Sequence, residues 1–259
     1  MPTLPSAIQA GNLAVITGGA SGIGLALAKV YLSKGLSVAV GDNDAEALAK
    51  VPKEMYSKSV NVADSASLAE FRDAITKQFP GRPISILHAN AGVGGPTKAS
   101  DPQGWDRIMG VNYQGVVSTV HTFLPLIKAG GQPAMIVNSG SKQGITTPPG
   151  SGAAYNISKA AVRVFTEQLA HELRGDESTK DRVTAHLLIP GWVHTGLTGA
   201  KTGKPKPEGA WSAEQTADFA LDRIASGSFY ILCPDNETPA AVDKARMEVS
   251  GKELHGKAK

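Results

Sequence analysis

Between Leu13 and Leu32 the chain passes from a short apolar run, Leu13-Ala-Val-Ile-Thr17, into a glycine cluster, Gly18-Gly-Ala-Ser21-Gly22-Ile23-Gly24. A helical pattern carrying Leu25, Ala28, Val30, Tyr31 and Leu32 follows. A strand that must become a helix within a few residues needs glycine where the chain turns or where another group comes close. Gly18 suits the turn, while Gly22 and Gly24 let a ligand and the sheet approach the main chain. The helix that begins beside Ser21 and Ile23 leaves its first N–H groups without intrahelical partners and carries positive partial charge there. A pyrophosphate fits such a helix end. A tight turn with no ligand is the plainer reading of these glycines, but the strand-turn-helix context favours the phosphate.

A second strand, Leu36-Ser-Val-Ala-Val40, ends at Gly41-Asp42. Asp42 stands twenty positions after Gly22, where a carboxylate meets the adenosine ribose of a dinucleotide. It would accept from both ribose hydroxyls and repel a 2′-phosphate. Neither Asn43, Asp44 nor the glycine turn offers a basic side chain to hold one. That argues for NAD, with NADP the poorer fit; a loop or N-cap aspartate is the alternative. Further strands are expected at 55–60, 84–88, 133–138, 183–189 and 229–234, and helices at 64–79, 105–111, 113–128 and 155–174. Strands alternating with helices, without internal repeats, predict one doubly wound α/β domain over 1–259. The Gly-, Pro- and Lys-rich stretch at 196–209 reads as part of a lid over 192–211, and 236–259 as a C-terminal tail.

Chemistry is concentrated between Ser139 and Lys159. Tyr155 and Lys159 lie four positions apart in a helical run, so they share one helix face a turn apart. A free phenol, with a pKa of about 10, is a poor proton carrier at neutral pH. Bringing it to about 7 requires roughly 4 kcal/mol of preference for the phenolate, part of which a nearby ammonium can supply. Ser141, just beyond the strand at 133–138, could hydrogen-bond an oxygen held by Tyr155; Ser139 is the weaker candidate. An ordinary exposed Tyr–Lys pair is the bland alternative. His88 reads as a strand-end histidine without chemistry.

Taken in order, Thr17-Gly18-x-x-x-Gly22-x-Gly24, Asp42, Asn90-Ala91-Gly92, Asn112, Ser141, Tyr155-x-x-x-Lys159 and Pro190-Gly191-x-Val193-x-Thr195 resemble the short-chain dehydrogenase/reductase family over about residues 10–235. The resemblance implies a Rossmann-like fold: a mostly parallel seven-stranded sheet with helices on both faces. It implies an oxidoreductase moving a hydride between NAD(H) and a secondary alcohol or ketone. Tyr155 would be the acid/base, Lys159 would lower its pKa and hold the nicotinamide ribose, and Ser141 would orient the substrate oxygen. Asn112 would support a proton-relaying water, Thr195 would contact the nicotinamide carboxamide, and Val193 would back its ring. Asn61-Val62 stands where Asp-Val is frequent beside the adenine, and Ser141 lies one position further from Tyr155 than is usual. The extra residue is placed in the loop Pro148-Pro149-Gly150, because Gly144 keeps its register with Ser141. A dinucleotide-binding sensor or scaffold is the alternative function, but it has no need of Asn112, Ser141, Tyr155 and Lys159 together.

Composition narrows the partners. Hydrophobic content of 41% and charged content of 19% describe a folded globular chain. A net charge of +3 is too small and scattered for nucleic acid. No apolar run reaches the roughly 18 residues of a membrane span. Cys233 is the single cysteine, which leaves no disulfide and no thiolate metal cluster, so no metal is expected. The start, MPTLPSAIQAGN, lacks the basic and apolar blocks of a signal peptide, so a cytoplasmic setting is the expectation. The runs at 113–128 and 155–174 are apolar on more than one side, which one sheet face does not require. A homo-oligomer is expected, and the resemblance implies a homotetramer or homodimer. Val93, Gly94, Gln143, Ile145, Trp192 and Trp211 are candidate pocket residues and suggest a mainly apolar or aromatic substrate.

Overall fold

The computed structural model describes residues 6–98, 100–200, 203, 205–239 and 241–247. The expected domain ends (1–5 and the tail from 248 on) and lid residues 201, 202 and 204 lie outside the described residues. Among the described residues, seven strands form one sheet in the order β3-β2-β1-β4-β5-β6-β7, and every pairing is parallel. The strands are β1 (Leu13–Thr17), β2 (Ser37–Asp42), β3 (Tyr56–Ser59), β4 (Ile84–Ala89), β5 (Ala134–Ser139), β6 (Val183–Ile189) and β7 (Tyr230–Leu232). The helices are α1 (Gly22–Ser33), α2 (Ala45–Leu48), α3 (Ser65–Gln78), α4 (Pro102–Met109), α5 (Gly115–Gly130), α6 (Ala153–Gly175) and α7 (Ala213–Ala225). The chain is therefore doubly wound, as the alternation predicts.

Helices cover both faces, so the central strands are apolar throughout. All of β1, β4 and β5 is buried. Successive β1 side chains serve opposite layers. Ala14 and Ile16 join Leu27, Tyr31, Ala217 and Ile224 of α1 and α7, whereas Leu13 and Val15 join Phe71, Ile75, Val120, Phe123 and Leu169 of α3, α5 and α6. The edge strand β3 alternates half-buried and exposed residues.

Two elements were not legible in advance. The short α2 is capped by Asp44, whose side chain accepts from Ala47 N. α7 begins at a capping box, with Ser212 and Gln215 each bonding the other's backbone N–H. The two helices expected at 105–111 and 113–128 are joined: α4 runs into one π-helical turn, Gly110–Gln114, before α5. The added residue per turn reaims Asn112, and such turns gather at functional sites.

β1 pairs with β2 on one side and β4 on the other, so strand order reverses there. The loops leaving β1 and β4 separate at this point and open a crevice at the carboxyl ends of the strands. No helix among the described residues is long and apolar enough to cross a membrane.

Candidate active site

That crevice is a cleft of about 600 Å³. Its wall on the β1 side is made by Gly18, Ser21, Gly22 and Ile23, and on the β2–β3 side by Asp42, Asn61 and Val62. Asn90, Ala91 and Gly92 leave β4 into it; Ser141, Tyr155 and Lys159 enter from β5 and α6; Pro190, Gly191, Val193 and Thr195 close it from β6. Seventeen of the nineteen residues expected at the catalytic and cofactor sites thus line one cleft. Gly24 lies beneath it, and Asn112 behind it.

Physical necessity is visible at two glycines. Gly18 has φ +64°, and a Cβ there would sit 2.6 Å from Ala91 Cα. Gly22 has φ +53°, and its Cβ would come 3.2 Å from Thr195. Any side chain at either would strain the turn and push the cleft's walls apart. Asp42 braces the same turn: its carboxylate accepts from Ala20 N at 3.1 Å and from Asp44 N at 3.1 Å.

Asn90 ties the two walls together. Its Nδ2 donates to Gly18 O at 2.9 Å, and its Oδ1 accepts from Ser139 Oγ at 3.1 Å. Ser139 is in turn bonded to the fully buried His88, 3.1 Å from Nε2. With the Ser139 hydroxyl donating to Asn90, His88 must carry its proton on Nε2. Burial pushes that imidazole down to about 3, so it stays neutral and acts as a strut.

Asn112 uses both ends of its amide on Val93, accepting from its N at 2.8 Å and donating to its O at 2.9 Å. It also donates to Ser158 Oγ at 3.2 Å. The side chain therefore fixes the strand leaving Gly92, whose missing Cβ would lie 3.5 Å from Asn112 Oδ1 and 3.6 Å from Lys159 Nζ.

Tyr155 and Lys159 sit one turn apart on α6, with Nζ 5.8 Å from the phenol ring centroid. Ser141, rather than Ser139, is the hydroxyl that favours ionisation of the phenol, since Ser139 is bonded to Asn90 and His88. The electrostatics differ from the sequence expectation. Burial pushes the Tyr155 phenol above its ordinary value, and the Ser141 hydrogen bond only partly offsets this. Lys159 Nζ donates to Ser139 O at 2.9 Å rather than to the phenol. Lys159 is itself held at about 8 by burial. The arrangement as it stands favours a neutral phenol beside a buried cation.

The candidate substrate pocket needs correction. Val93 and Gly94 line the cleft, but Gln143, Ile145, Trp192 and Trp211 do not. Trp211 packs edge-on against Phe219 with centroids 5.6 Å apart, and Ile145 packs on the core around Ala89 and Ile189. Trp211, one of the two tryptophans behind the expectation of an aromatic substrate, therefore serves the core. Arg107 and Leu197, which the sequence reading missed, do line the cleft. Arg107, on α4 one turn before Val111, donates to Gly94 O at 3.0 Å, a long-range contact that no local sequence signal announces.

The cleft and its fold have relatives. The family described as short chain dehydrogenase matches residues 12–206. A crystal structure of a short chain dehydrogenase/reductase from Burkholderia phymatum in complex with NAD is 31% identical, covers 95% of each chain and superposes with a TM-score of 0.80. The D-beta-hydroxybutyrate dehydrogenase of Cupriavidus necator is 30% identical over 93% of this chain and 94% of its own. The NADP-dependent (R)-specific alcohol dehydrogenase of Lentilactobacillus kefiri is 29% identical over 72% and 75%. This chain belongs to the short chain dehydrogenase family, and with it to the NAD(P)-dependent oxidoreductases of CH–OH groups.

Proposed function

We propose that the protein is a cytoplasmic dehydrogenase/reductase of secondary alcohols and ketones that uses NAD(H), working as one domain with 192–211 as its lid. The observation that carries this reading is the convergence of Ser141, Tyr155 and Lys159, the last a turn away on the same helix, in one dinucleotide-sized cleft. The cleft fits the cofactor. The glycine turn has no Cβ to obstruct a pyrophosphate, and Asp42 stands beside the ribose position. Val193 and Thr195 flank the place of the nicotinamide, and Asn61 and Val62 that of the adenine. When bound, the nicotinamide supplies the hydride acceptor for oxidation and the donor for reduction.

The chain's own residues do the rest. Ser141 Oγ holds the substrate oxygen. Tyr155 Oη gives that oxygen a proton during reduction and takes it during oxidation. Their two hydroxyls, held in position before the substrate arrives, stabilise the alkoxide-like oxygen of the transition state by hydrogen bonding. Lys159, charged at neutral pH, supplies positive potential and a donor for the ribose. Asn112 keeps Val93 and Gly92 from closing onto Lys159. Apolar parts of the substrate meet Val93 and Leu197. Appearance of NADH absorbance when NAD meets a panel of secondary alcohols tests the reading, and its absence across a broad panel would reject it.

NAD(H) is expected to bind at least tenfold more tightly than NADP(H), about 1.4 kcal/mol, because the Asp42 carboxylate repels a 2′-phosphate. Titration of both cofactors decides this, and equal affinities would remove Asp42 as the selector. We also propose a homotetramer or homodimer. α6 leaves Ile157 48% and Val164 56% exposed, an apolar stripe on a helix whose other side is already packed. Light scattering at micromolar concentration should return a multiple of 26.8 kDa, and a single-chain mass would refute the assembly.

A further inference from the structure

Directly behind the turn Pro190-Gly191-Trp192 lies a buried cluster of charge that the mechanism above does not use. Lys142, the residue after Ser141, is 13% exposed at its side chain. Its Nζ is 2.9 Å from Asp235 Oδ2 and 2.5 Å from Asp243 Oδ2. Asp235 Oδ2 also accepts from Trp192 N at 3.0 Å, while its Oδ1 accepts from Thr238 N at 2.7 Å and Glu237 N at 3.1 Å. Asp243, 3% exposed, sits in the helical segment 241–247 and pairs a second time with Arg246 at 3.3 Å. Two cations thus face two carboxylates.

The cluster touches the cleft through backbone. Lys142 N donates to Pro190 O at 3.2 Å, so its main chain holds one end of the turn while its side chain, through Asp235, holds the Trp192 end. A Cβ on Gly191 would fall 2.9 Å from Lys142 Nζ, and closer still to Asp235. The glycine lets the ion pair sit against the back of the wall. Met247, four residues past Asp243, packs on the core beside Ile145 and Leu232 and anchors the segment a second time.

We propose that Lys142 is a positioning residue that, through Asp235 and Asp243, clamps the cleft-facing turn Pro190-Gly191-Trp192 to the C-terminal segment 241–247, so that this segment sets the nicotinamide end of the site. The inference rests on the proposed dinucleotide reading. A buried ammonium missing one of two carboxylates keeps a partner, whereas two buried carboxylates missing their ammonium repel. Asp243→Asn is therefore the variant that keeps the fold, because Lys142 retains Asp235. Met247→Asp loosens the same segment by another route.

The test compares NADH with ADP-ribose, which lacks the nicotinamide, in both full-length variants, with urea unfolding run alongside. Each variant should bind NADH at least tenfold more weakly, with ADP-ribose affinity within twofold of the parent. Deuterium uptake without ligand should rise at 189–193 and 139–146 as well as at 241–247. Unchanged NADH affinity in folded Asp243→Asn would overturn the proposal, and so would an equal loss for both ligands, which marks a general loosening. A parent protein that binds neither nucleotide would instead reject the dinucleotide reading, and the proposal with it.

Discussion

Tyr155→Phe should bind NAD as the parent does, unfold at the same denaturant concentration, and turn over at least 10² to 10⁴ times more slowly. The change removes one hydroxyl from a half-buried ring on α6 and leaves the apolar contacts in place. The loss expected is that of a positioned general acid/base. Its partner provides the control. Ser141→Ala should also slow turnover without touching NAD affinity, whereas Ser139→Ala should be mild in rate, because its hydroxyl is committed to Asn90 and His88 rather than to the phenol. Steady-state rates with any active alcohol, together with cofactor titrations, decide the matter. Near-parental turnover in Tyr155→Phe would overturn the mechanism and the site together.

Lys159→Met should do two opposite things: abolish most turnover and make the protein more stable at neutral pH. Lys159 is 4% exposed and held at about 8, against 10.5 for a free lysine. A folded-state value below the unfolded one means that charging this amine opposes folding. The opposition is complete below about pH 8 and disappears as pH rises towards 10.5. At 1.36 kcal/mol per pH unit it amounts to about 3 kcal/mol, from which the lost bond to the Ser139 carbonyl subtracts about 1. Urea unfolding at pH 7 should show the gain, shrinking by pH 10. A variant less stable than the parent at pH 7 would sink the prediction. Cofactor binding should weaken, because the donor to the ribose is gone. Any residual activity should titrate at higher pH, because the phenol has lost its neighbouring cation.

The sequence exposed the fold where chemistry is local. Uninterrupted apolar runs such as Leu13–Thr17 can be strands only if both faces are covered, and glycines at 18, 22 and 24 can be spared side chains only if something comes close. Those two facts fix β1, α1 and the cleft beside them. Elements that depend on distant contacts were harder to read. α7 has a capping box but follows a loop rich in Gly, Pro and Lys, and its apolar face is defined only by α1 lying against it. Trp192 and Trp211 looked like pocket residues because tryptophan is large and amphipathic, yet Trp211 is engaged by Phe219, a contact no spacing rule supplies. The tilt of Tyr155's pKa was misjudged for a similar reason. One turn of helix places Lys159 near the ring, but a carbonyl on β5 decides where its ammonium points.

The seating of β1 between β2 and β4 also governs how the protein can be made. Thr17 pairs with Ala89, and Ser139 with Leu188, so the cleft joins parts of the chain separated by most of its length. With every pairing among the described strands parallel, no hairpin between them can form early and hold the sheet while the rest arrives. Such topologies fold slowly, since loop closure precedes any gain from contact. A chain emerging from the ribosome would present the glycine turn and Asp42 long before Tyr155 and the β6 turn exist to complete their partner wall. The dinucleotide can therefore act only as a ligand of the finished state, adding about 2.7 kcal/mol at a hundredfold excess over its dissociation constant. It would do so mainly by slowing unfolding, and would leave the rate of folding to the chain itself.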